Sequence, residues 1–392
     1  MPVTIKDAAR KRIDKGRDRL IELSHRIHAH PELKFEEERS AAWVAAALDE
    51  SGFDVETGIC ELPTAFRASV GSGPLRIAIC AEYDALPTIG HACGHNLIAA
   101  MAVGAAVGLA EVADDIGIQV VVLGTPAEEG GGGKILMLER GAFDGVHAAM
   151  MVHPTPVDAV EPSIIAAREF KIRYTGKEAH ASAWPELGIN AADALVVAQT
   201  AIGLLRQQLG PNDRVHGIVS HGGDAPNVIP AHTEADYMVR ALELADLAAV
   251  EERVMRCFEA GALATGAAME VEHLHKPYAE MRHDTELAAI YKRNAEAVGR
   301  AFPDLGAAAR RASASTDMGN VSLAIPSIHP FIGIDSLPAV NHQPEFAAHC
   351  VREAADKAVT DGAAAMAWTA IDVAGDDALR GRLADRPRSN AP

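Results

Sequence analysis

The sequence lacks an excess of positive charge, because the formal net charge of its 392 residues is −18. Nucleic acids and anionic membrane surfaces both attract basic proteins, so a chain this acidic is poorly suited to either. An anionic small molecule is not excluded, because a single pocket can be locally positive. The sequence therefore predicts neither a nucleic-acid partner nor a membrane partner.

Long apolar runs and paired cysteines are also missing. The longest apolar run, residues 97–110, falls short of the ~20 residues that span a bilayer and predicts a buried helix. The charged segment 1–20 lacks the apolar region of a signal peptide. The five cysteines are odd in number and show no paired spacing, which favours a reducing compartment over a disulfide framework. We expect a cytoplasmic protein.

Short apolar runs, in contrast, recur at regular intervals. Residues 75–81, 118–123 and 148–152 are each too short for a helix and are bounded by turn signals, which is typical of strands buried on both faces. Helical patterns at 97–112 and 134–140 lie between them. Strand–helix–strand alternation predicts a parallel sheet.

The pattern changes in the middle of the chain, where apolar and polar residues alternate as in strands with one wet face. The predicted elements there are strands at 169–175, 214–220, 233–239 and 269–275 and helices at 190–209 and 244–263. Their order, β-α-β-β-α-β, is the ferredoxin-like arrangement. The sequence thus predicts an α/β fold: a mainly parallel-sheet catalytic domain flanked by helices, residues 1–165 and 277–392, with an inserted α+β domain, residues 166–276.

The remaining segments complete the first domain. We predict helices at 6–30, 36–51, 286–300 and 345–373, a last core strand at 327–334 and a frayed tail at 376–392. Residues 53–69 show no clear period and are rich in turn signals.

Residues that commonly bind metals follow each of the three buried strands. Cys93 and His95 come after the first strand, Glu128 and Glu129 after the second, and His153 directly after the third. Ligands of parallel sheets bind outside the carboxyl ends of the strands, so these side chains are expected to converge. A thiolate, imidazoles and a carboxylate form a set suited to zinc or manganese.

The adjacent pair Glu128-Glu129 suggests a division of labour. Neighbouring residues on an irregular loop point in different directions, so one carboxylate can bind metal while the other faces a metal-activated water. A base beside that water would take its proton as it attacks a carbonyl carbon.

Two other interpretations of these residues fit the sequence less well. The glycines before Lys134 superficially suggest a phosphate loop, but the required glycine and hydroxyl positions hold Glu128 and Ile135. Cys93 as a nucleophile with His95 as its base would leave the remaining metal-type residues without a role. The metal hypothesis accounts for all of them.

Several motifs spread over nearly the whole chain resemble one family of hydrolases. They are His28–Leu33, Glu82–Pro87, Gly90–Asn96, Pro126–Gly130, Gly176–Ala181, Asn227–Pro230 and Ser315–Asn320. The family comprises dinuclear metallopeptidases and amidohydrolases and includes aminoacylase and carboxypeptidase G. Within it the sequence is most similar to the branch of indoleacetyl-amino-acid hydrolases, p-aminobenzoyl-glutamate hydrolase and the β-alanyl-lysine type of dipeptidase. The resemblance implies one or two divalent metal ions per subunit, Zn²⁺ or Mn²⁺.

The resemblance also implies a role for each residue after the buried strands. Cys93, His95, Glu129 and His153 match metal ligands, and Glu128 matches the general base. The reaction implied is hydrolysis of a small amide or dipeptide that releases an amino acid.

Other matched residues are implied to support the ligands or the substrate. Asp84 and His91 are expected to contact the ligands rather than the metal. His180 matches a histidine that the inserted lid and dimerisation domain supplies to the partner subunit of a homodimer, where it stabilises the oxyanion. Asn227 and Arg240 match positions that hold the substrate.

The last ligand of the family is a histidine near the end of the catalytic domain. His342, which lies just before a proline and a phenylalanine, fits better than His329, which falls inside the predicted last strand. Three departures leave the number of metals open. Cys93 stands where relatives outside this branch have a bridging aspartate, and a thiolate there leaves the identity of the metal open as well. Glu82 stands where relatives outside this branch have histidine, and Asn96 stands where many close relatives have aspartate.

The sequence therefore predicts a metal-dependent amidohydrolase or dipeptidase with Glu128 as general base. Two alternatives stay open at this point: a catalytically silent binding protein on the same fold, and an exopeptidase that acts on longer peptides.

Overall fold

The computed structural model describes residues 4–304, 306 and 313–385. These residues divide into two compact units. The first contains the chain up to Ser163, the stretch that begins at Met281 and the stretch that begins at Thr316. The second contains Ile164–Glu280 and Ser313–Ser315.

Strands of the described residues are numbered along the chain. They are β1 (Asp54–Thr57), β2 (Phe66–Val70), β3 (Leu75–Ala81), β4 (Ile118–Gly124), β5 (Ala148–Met150), β6 (His153–Thr155), β7 (Ala166–Thr175), β8 (Arg214–His221), β9 (His232–Ala241), β10 (Ala268–His273), β11 (Ser327–Ile328) and β12 (Phe331–Gly333).

Helices are numbered in the same way. They are α1 (Ile5–His28), α2 (Glu38–Asp49), α3 (His95–Ala110), α4 (Ala113–Ile116), α5 (Gly133–Glu139), α6 (Ala191–Leu205), α7 (Leu244–Thr265), α8 (Thr285–Ala297), α9 (Met318–Ala324), α10 (Pro344–His349), α11 (Glu353–Gly375) and α12 (Asp377–Ala384). Short 3₁₀ turns occur at Ile59–Glu61, Pro185–Leu187 and Arg206–Gln208.

The first unit is built on a six-stranded sheet in the order β1-β2-β4-β3-β5-β11. The pairs β4–β3, β3–β5 and β5–β11 are parallel. The stretch 53–69 supplies β1 and β2, which add antiparallel strands to one edge. The predicted mainly parallel sheet is confirmed, and its three central strands lie where the apolar runs placed them.

Burial explains why the central strands read as continuous apolar runs. Ile77, Ala78 and Ile79 are consecutive in β3 and all fully buried, so both faces of the strand are covered. Helix α3 packs against β3 and β4, and α1 and α11 pack against α3 in the same core. Helix α3 is buried on nearly all sides, as the absence of polar residues after Asn96 predicts.

Two predicted elements of the first unit are interrupted. The stretch 327–334 forms β11, which pairs with β5, and β12, which pairs with β6. Pro330 lies between them and has no N–H to donate, so one continuous ladder does not form there. The closing helix 345–373 divides into α10 and α11.

The frayed tail predicted for 376–392 is wrong for its first part. Residues 377–384 form α12, and the Asp376 side chain accepts hydrogen bonds from the N–H groups of Ala378 and Leu379. Such an N-cap satisfies donors that a helix start otherwise leaves unpaired. Residues 386–392 lie outside the described part of the chain.

The second unit is a four-stranded antiparallel sheet in the order β10-β7-β9-β8. Strand β9 alternates strictly between buried and half-buried residues, with Tyr237 and Val239 facing α6 and α7 in a separate core. The chain order of strands and helices is β-α-β-β-α-β, so the ferredoxin-like prediction is confirmed.

Across the described ranges, no helix is both long enough and apolar enough to cross a membrane. The longest apolar run lies in α3, inside the core of the first unit.

Candidate metal centre and active site

A glycine turn presents Cys93 and His95 to the same point. Gly94 has φ +79°, and α3 begins at the next residue. A Cβ at Gly94 would lie 2.4 Å from Pro154 Cγ, so both the backbone conformation and the space require glycine. The turn brings the side chains on either side of it together despite their spacing of two.

Asp84 orients His95. Its Oδ1 accepts a hydrogen bond from His95 Nδ1 at 2.9 Å, and its Oδ2 accepts one from the Glu129 N–H at 2.9 Å. With Nδ1 as the donor, a neutral His95 presents the lone pair of Nε2. One buried carboxylate therefore positions both an imidazole and the loop that carries the glutamate pair.

His153 is oriented in the same way by the backbone. Its Nδ1 lies 2.9 Å from the Pro154 carbonyl oxygen, and its Nε2 lies 3.5 Å from Cys93 Sγ. Burial, with the nearby charge of His95, lowers the pKa of His153 to about 3. The ring is therefore neutral at ordinary pH, which is the form that binds a metal.

Cys93 lies between two sets of metal-type atoms. Its Sγ is 3.5 Å from His342 Nε2 as well as from His153 Nε2. One set joins Cys93, His95 and His153, and a second joins Cys93, Glu129 and His342; within each set the ligand atoms lie within 4.8 Å of one another. The thiol belongs to both, which is the arrangement expected of a ligand shared by two metal positions.

The buried atoms of these sets fit a cation. Within the described part of the chain, His95 Nε2 and Glu129 Oε1 are buried without a hydrogen-bond partner. Burial opposes protonation of His95, but Asp84 and the surrounding carboxylates raise its pKa well above its usual value. Surroundings that favour an imidazolium also favour a divalent cation, which would replace its proton.

Burial, followed by the charge of Glu129, raises the pKa of the Cys93 thiol well above its usual value. A bound cation reverses that effect, because a coordinating thiol loses its proton.

His342 adopts a left-handed backbone conformation beside Cys93 and Glu129. It has φ +67°, and its N–H donates to the Ala92 carbonyl at 2.8 Å. Its Nε2 lies 3.6 Å from Glu129 Oε2. His329, the other C-terminal candidate, is buried against His153 with ring centroids 5.5 Å apart, and it belongs to neither set.

Glu128 and Glu129 leave β4 through a strained turn in which Ala127 has φ +58°. Glu128 Oε2 lies 3.8 Å from His95 Nε2, beside the metal sets but outside the two that contain Cys93. Burial, followed by the charges of Glu82 and Glu129, raises the pKa of Glu128 well above its usual value. A carboxyl with a raised pKa beside a metal position is suited to proton transfer.

Glu37 holds this turn and was not found from the sequence. Its Oε1 accepts hydrogen bonds from the N–H groups of Ala127 at 2.8 Å and Phe35 at 2.9 Å, and its Oε2 accepts one from the Thr64 hydroxyl at 2.9 Å. Burial, followed by the charge of Asp84, raises the pKa of Glu37 to about 7. The only sequence signal is that Glu37 follows the His28–Leu33 motif closely.

A buried lysine was also missed. Lys134, in the first turn of α5, pairs with Glu82 and Asp317, and all three side chains are fully buried. In the sequence, the glycines before Lys134 suggest a phosphate loop, and no local pattern links the lysine to Glu82 or Asp317.

The remaining predicted residues are placed as follows. His91 is buried, and among the described residues neither of its ring nitrogens has a hydrogen-bond partner, so it makes no hydrogen bond to the proposed ligands. Within the second unit, the exposed His180 forms a β-bridge with Val228, and Ala181 N–H donates to the Asn227 carbonyl. His180 and Asn227 are thus close neighbours.

Arg240, at the end of β9 in the second unit, donates from Nη1 to Ser315 Oγ at 2.8 Å. Burial lowers the pKa of its guanidinium. Ser315 in turn donates to the Ile165 carbonyl, so the arginine is held by the same unit that carries it.

Comparison with known proteins adds independent findings. Residues 78–366 match the model of peptidase family M20/M25/M40. The chain is 39% identical to the Xaa-Arg dipeptidase of Mus musculus over 94% of this chain and 89% of the relative. It is 36% identical to a subunit of the p-aminobenzoyl-glutamate hydrolase of Escherichia coli over 66% of this chain and 58% of the relative.

A solved structure shares the fold. The Bacillus subtilis YXEP protein, described as a dinuclear metal binding peptidase, aligns with a TM-score of 0.65 at 23% identity, covering 92% of this chain and 99% of that one.

Proposed function

The chain belongs to peptidase family M20/M25/M40, and from this premise we propose that it is a metal-dependent dipeptidase or N-acyl-amino-acid amidohydrolase. The family resemblance and the enzyme class predicted from the sequence, a hydrolase of peptide or amide bonds, are confirmed. The observation that carries the specific proposal is the pair of ligand sets that share Cys93 beside Glu128.

We assign the metal ligands from these sets. Cys93, His95 and His153 would hold one ion, and Cys93, Glu129 and His342 a second. The donors suit Zn²⁺ or Mn²⁺, and a thiolate in both sets favours zinc. A divalent ion bound here would polarise the amide carbonyl and acidify water.

The protein groups then carry the proton. Glu128 would accept a proton from the attacking water and return it to the nitrogen of the departing amino acid. Its raised pKa favours the protonated form that must persist between the two steps. Asp84 would keep His95 and the loop of Glu129 in place throughout, through the two hydrogen bonds it accepts.

The second unit is proposed as a lid and dimerisation domain. Strand β8 ends the sheet, and in the described structure it pairs with β9 alone. Its residues Ile218 and Val219 are 67% and 45% exposed. An unpaired edge with apolar side chains is a template for another strand, and we propose a second copy of this chain as the occupant.

His180, Asn227 and Arg240 would contact substrate from this unit, with His180 serving the partner subunit. Ile218→Lys is expected to yield a monomer in sedimentation velocity and to reduce turnover, whereas Leu263→Lys, at a residue 88% exposed but on no strand edge, is the control. A dimer that survives Ile218→Lys contradicts the edge contact. A monomer with full turnover contradicts the role of His180 across the interface.

A substrate panel tests the proposed activity. Because relatives are named Xaa-Arg dipeptidase, dipeptides that end in arginine or lysine come first, followed by N-acyl amino acids, p-aminobenzoyl-glutamate and longer peptides. We expect cleavage of small amides that chelator abolishes and that Zn²⁺ or Mn²⁺ restores. Metal binding without cleavage of any compound would instead favour a binding protein, and preference for longer peptides would favour an exopeptidase.

A cytoplasmic location remains our proposal. All five cysteines are free thiols, which agrees with a reducing compartment. Fractionation of cells followed by immunodetection would test it.

A further inference from the structure

The first unit contains a lysine that water cannot reach. Lys134 is fully buried, and its Nζ pairs with a Glu82 oxygen and with Asp317 Oδ1, the latter at 2.7 Å. The Lys134 backbone N–H donates to Asp317 Oδ2 at 2.8 Å, so Asp317 holds both ends of the residue. A buried lysine is costly unless it is paired, and here it has two partners.

The glycines before Lys134 allow the start of α5 to lie close to the turn that precedes Glu128. A Cβ at Gly133 would lie 1.8 Å from the Pro126 carbonyl oxygen, so α5 can begin this close to the turn before Glu128 only with glycine there. The glycine run therefore brings an ammonium, rather than a phosphate, to the neighbourhood of the glutamate pair.

Glu82 lies between Lys134 and one of the proposed metal ligands. Its Oε2 lies 3.6 Å from His95 Nε2. Glu82, His95 and Glu128 form a third set of buried atoms that lie within 4.8 Å of one another and could hold a cation. This set differs from the other two in that Lys134 already supplies a positive charge to one of its carboxylates.

We propose that Lys134 is a positioning residue that keeps Glu82 from becoming a metal ligand and so preserves Glu128 for proton transfer. The ammonium and a divalent ion compete for the same carboxylate. Without Lys134, Glu82 and Glu128 would together draw the ion bound to His95 towards the third set. The catalytic part of this inference rests on the proposed function of Glu128, whereas the ligand part does not.

Cobalt(II) titration tests the ligand part without turnover. The visible absorption of bound Co²⁺ depends on the number and kind of its ligands. We expect wild type and Glu82→Gln to give the same bands, because Glu82 is not a ligand while Lys134 is present. Lys134→Met is expected to change the bands, and the double variant Lys134→Met/Glu82→Gln is expected to restore them.

Kinetics with the best substrate of the panel test the catalytic part. Lys134→Met is expected to lower kcat about 100-fold with KM changed by less than about threefold, and the double variant to recover most of kcat. Lys292→Met, at an exposed lysine of α8, is the matched control and should behave as wild type.

The outcomes separate the two proposals. A Co²⁺ spectrum altered by Glu82→Gln, or one unchanged by Lys134→Met, overturns the inference even if the wild type is fully active. A wild type that cleaves nothing overturns the proposed function, while the spectra still decide the ligand part. If Lys134→Met does not fold, a spectrum that differs from wild type in Glu82→Gln or in the double variant still overturns the inference.

Discussion

Two groups of ion pairs in this protein have similar distances between their nitrogen and oxygen atoms but differ in burial. At the strand ends of the first unit, Lys134 pairs with Asp317 at 2.7 Å, and both side chains are fully buried. On the sheet of the second unit, Arg173 pairs with Glu234 at 3.0 Å, with side chains 31% and 24% exposed. The first group, which we call the strand-end cluster, consists of the buried residues Glu82, Asp84, Glu128, Lys134 and Asp317. The second group, the sheet-face pairs, joins Lys171 and Arg173 to Glu234 and Asp236.

The two groups differ in whether water can solvate a charge after its partner has been removed. When a sheet-face pair is broken, each charge is solvated, so such pairs contribute little to the free energy of unfolding. When a member of the strand-end cluster is removed, its partner stays buried without compensation. Such a cluster is expected where the charges have a function, and here they lie beside the proposed metal ligands. Four substitutions test this comparison, from the largest expected effect to the smallest.

Glu128→Gln is expected to cause the largest loss. The amide cannot accept the proton of water, so kcat should fall by about 10²–10⁴-fold while the metal content is unchanged. Steady-state kinetics and metal analysis on the same sample measure both quantities. Full activity in this variant would remove Glu128 from the mechanism, and loss of metal would reassign it as a ligand.

Asp84→Asn tests the support of the ligands. The amide can still contact His95, but it places an N–H₂ group where one oxygen now accepts a hydrogen bond from His95 Nδ1 or the Glu129 N–H. We expect metal affinity to fall about 10–100-fold, measured by competition with a chelating dye. Asp236→Asn, in a sheet-face pair, is the matched control and should leave metal affinity unchanged.

Glu37→Gln tests a carboxyl of the strand-end region that bears no metal. Because the pKa of Glu37 is raised to about 7 in the folded protein from 4.5, the unfolded chain ionises first as pH rises. The wild type should therefore lose stability between about pH 4.5 and 7, by up to roughly 3 kcal/mol from this group. Glutamine keeps an acceptor for the two N–H groups without this ionisation.

The stability difference between Glu37→Gln and wild type should accordingly grow across that pH range. Urea unfolding at several pH values measures it. A constant difference would mean that Glu37 is ionised in the folded protein throughout, with its hydrogen bonds outweighing its burial.

Glu234→Gln should have the smallest effect. It removes the acid shared by Lys171, Arg173 and His232, and the loss of unfolding free energy should be less than about 1 kcal/mol. Salt should diminish the loss further, because exposed charges are screened. Thermal unfolding at low and high ionic strength would check both statements. A loss as large as that from a buried pair would break the comparison.

The sequence predicted most of the fold for a physical reason. Residues 75–81, 118–123 and 148–152 became the central parallel strands, because continuous apolar runs of that length can only be buried on both faces. The alternation of β9 likewise predicted an antiparallel sheet with one wet face. These patterns are local, so they can be read without knowing what each strand contacts.

Elements whose ends depend on single contacts were predicted less well. Pro330 divided the last strand into β11 and β12, and the Asp376 cap created α12 in a segment read as a frayed tail. Neither effect changes the average polarity on which the prediction was based.

The metal-type residues themselves were evident from the sequence, because Cys93, His95, Glu128, Glu129 and His153 follow strands whose carboxyl ends must meet at one edge. Only the tertiary structure decided how they divide. It placed Cys93 in two ligand sets, oriented His95 through Asp84 and assigned Glu82 to a lysine. Strand positions follow from local hydrophobic patterning. The partner of a buried charge, in contrast, can lie far away in the chain. Lys134 and Asp317, for example, meet only when the core closes around them.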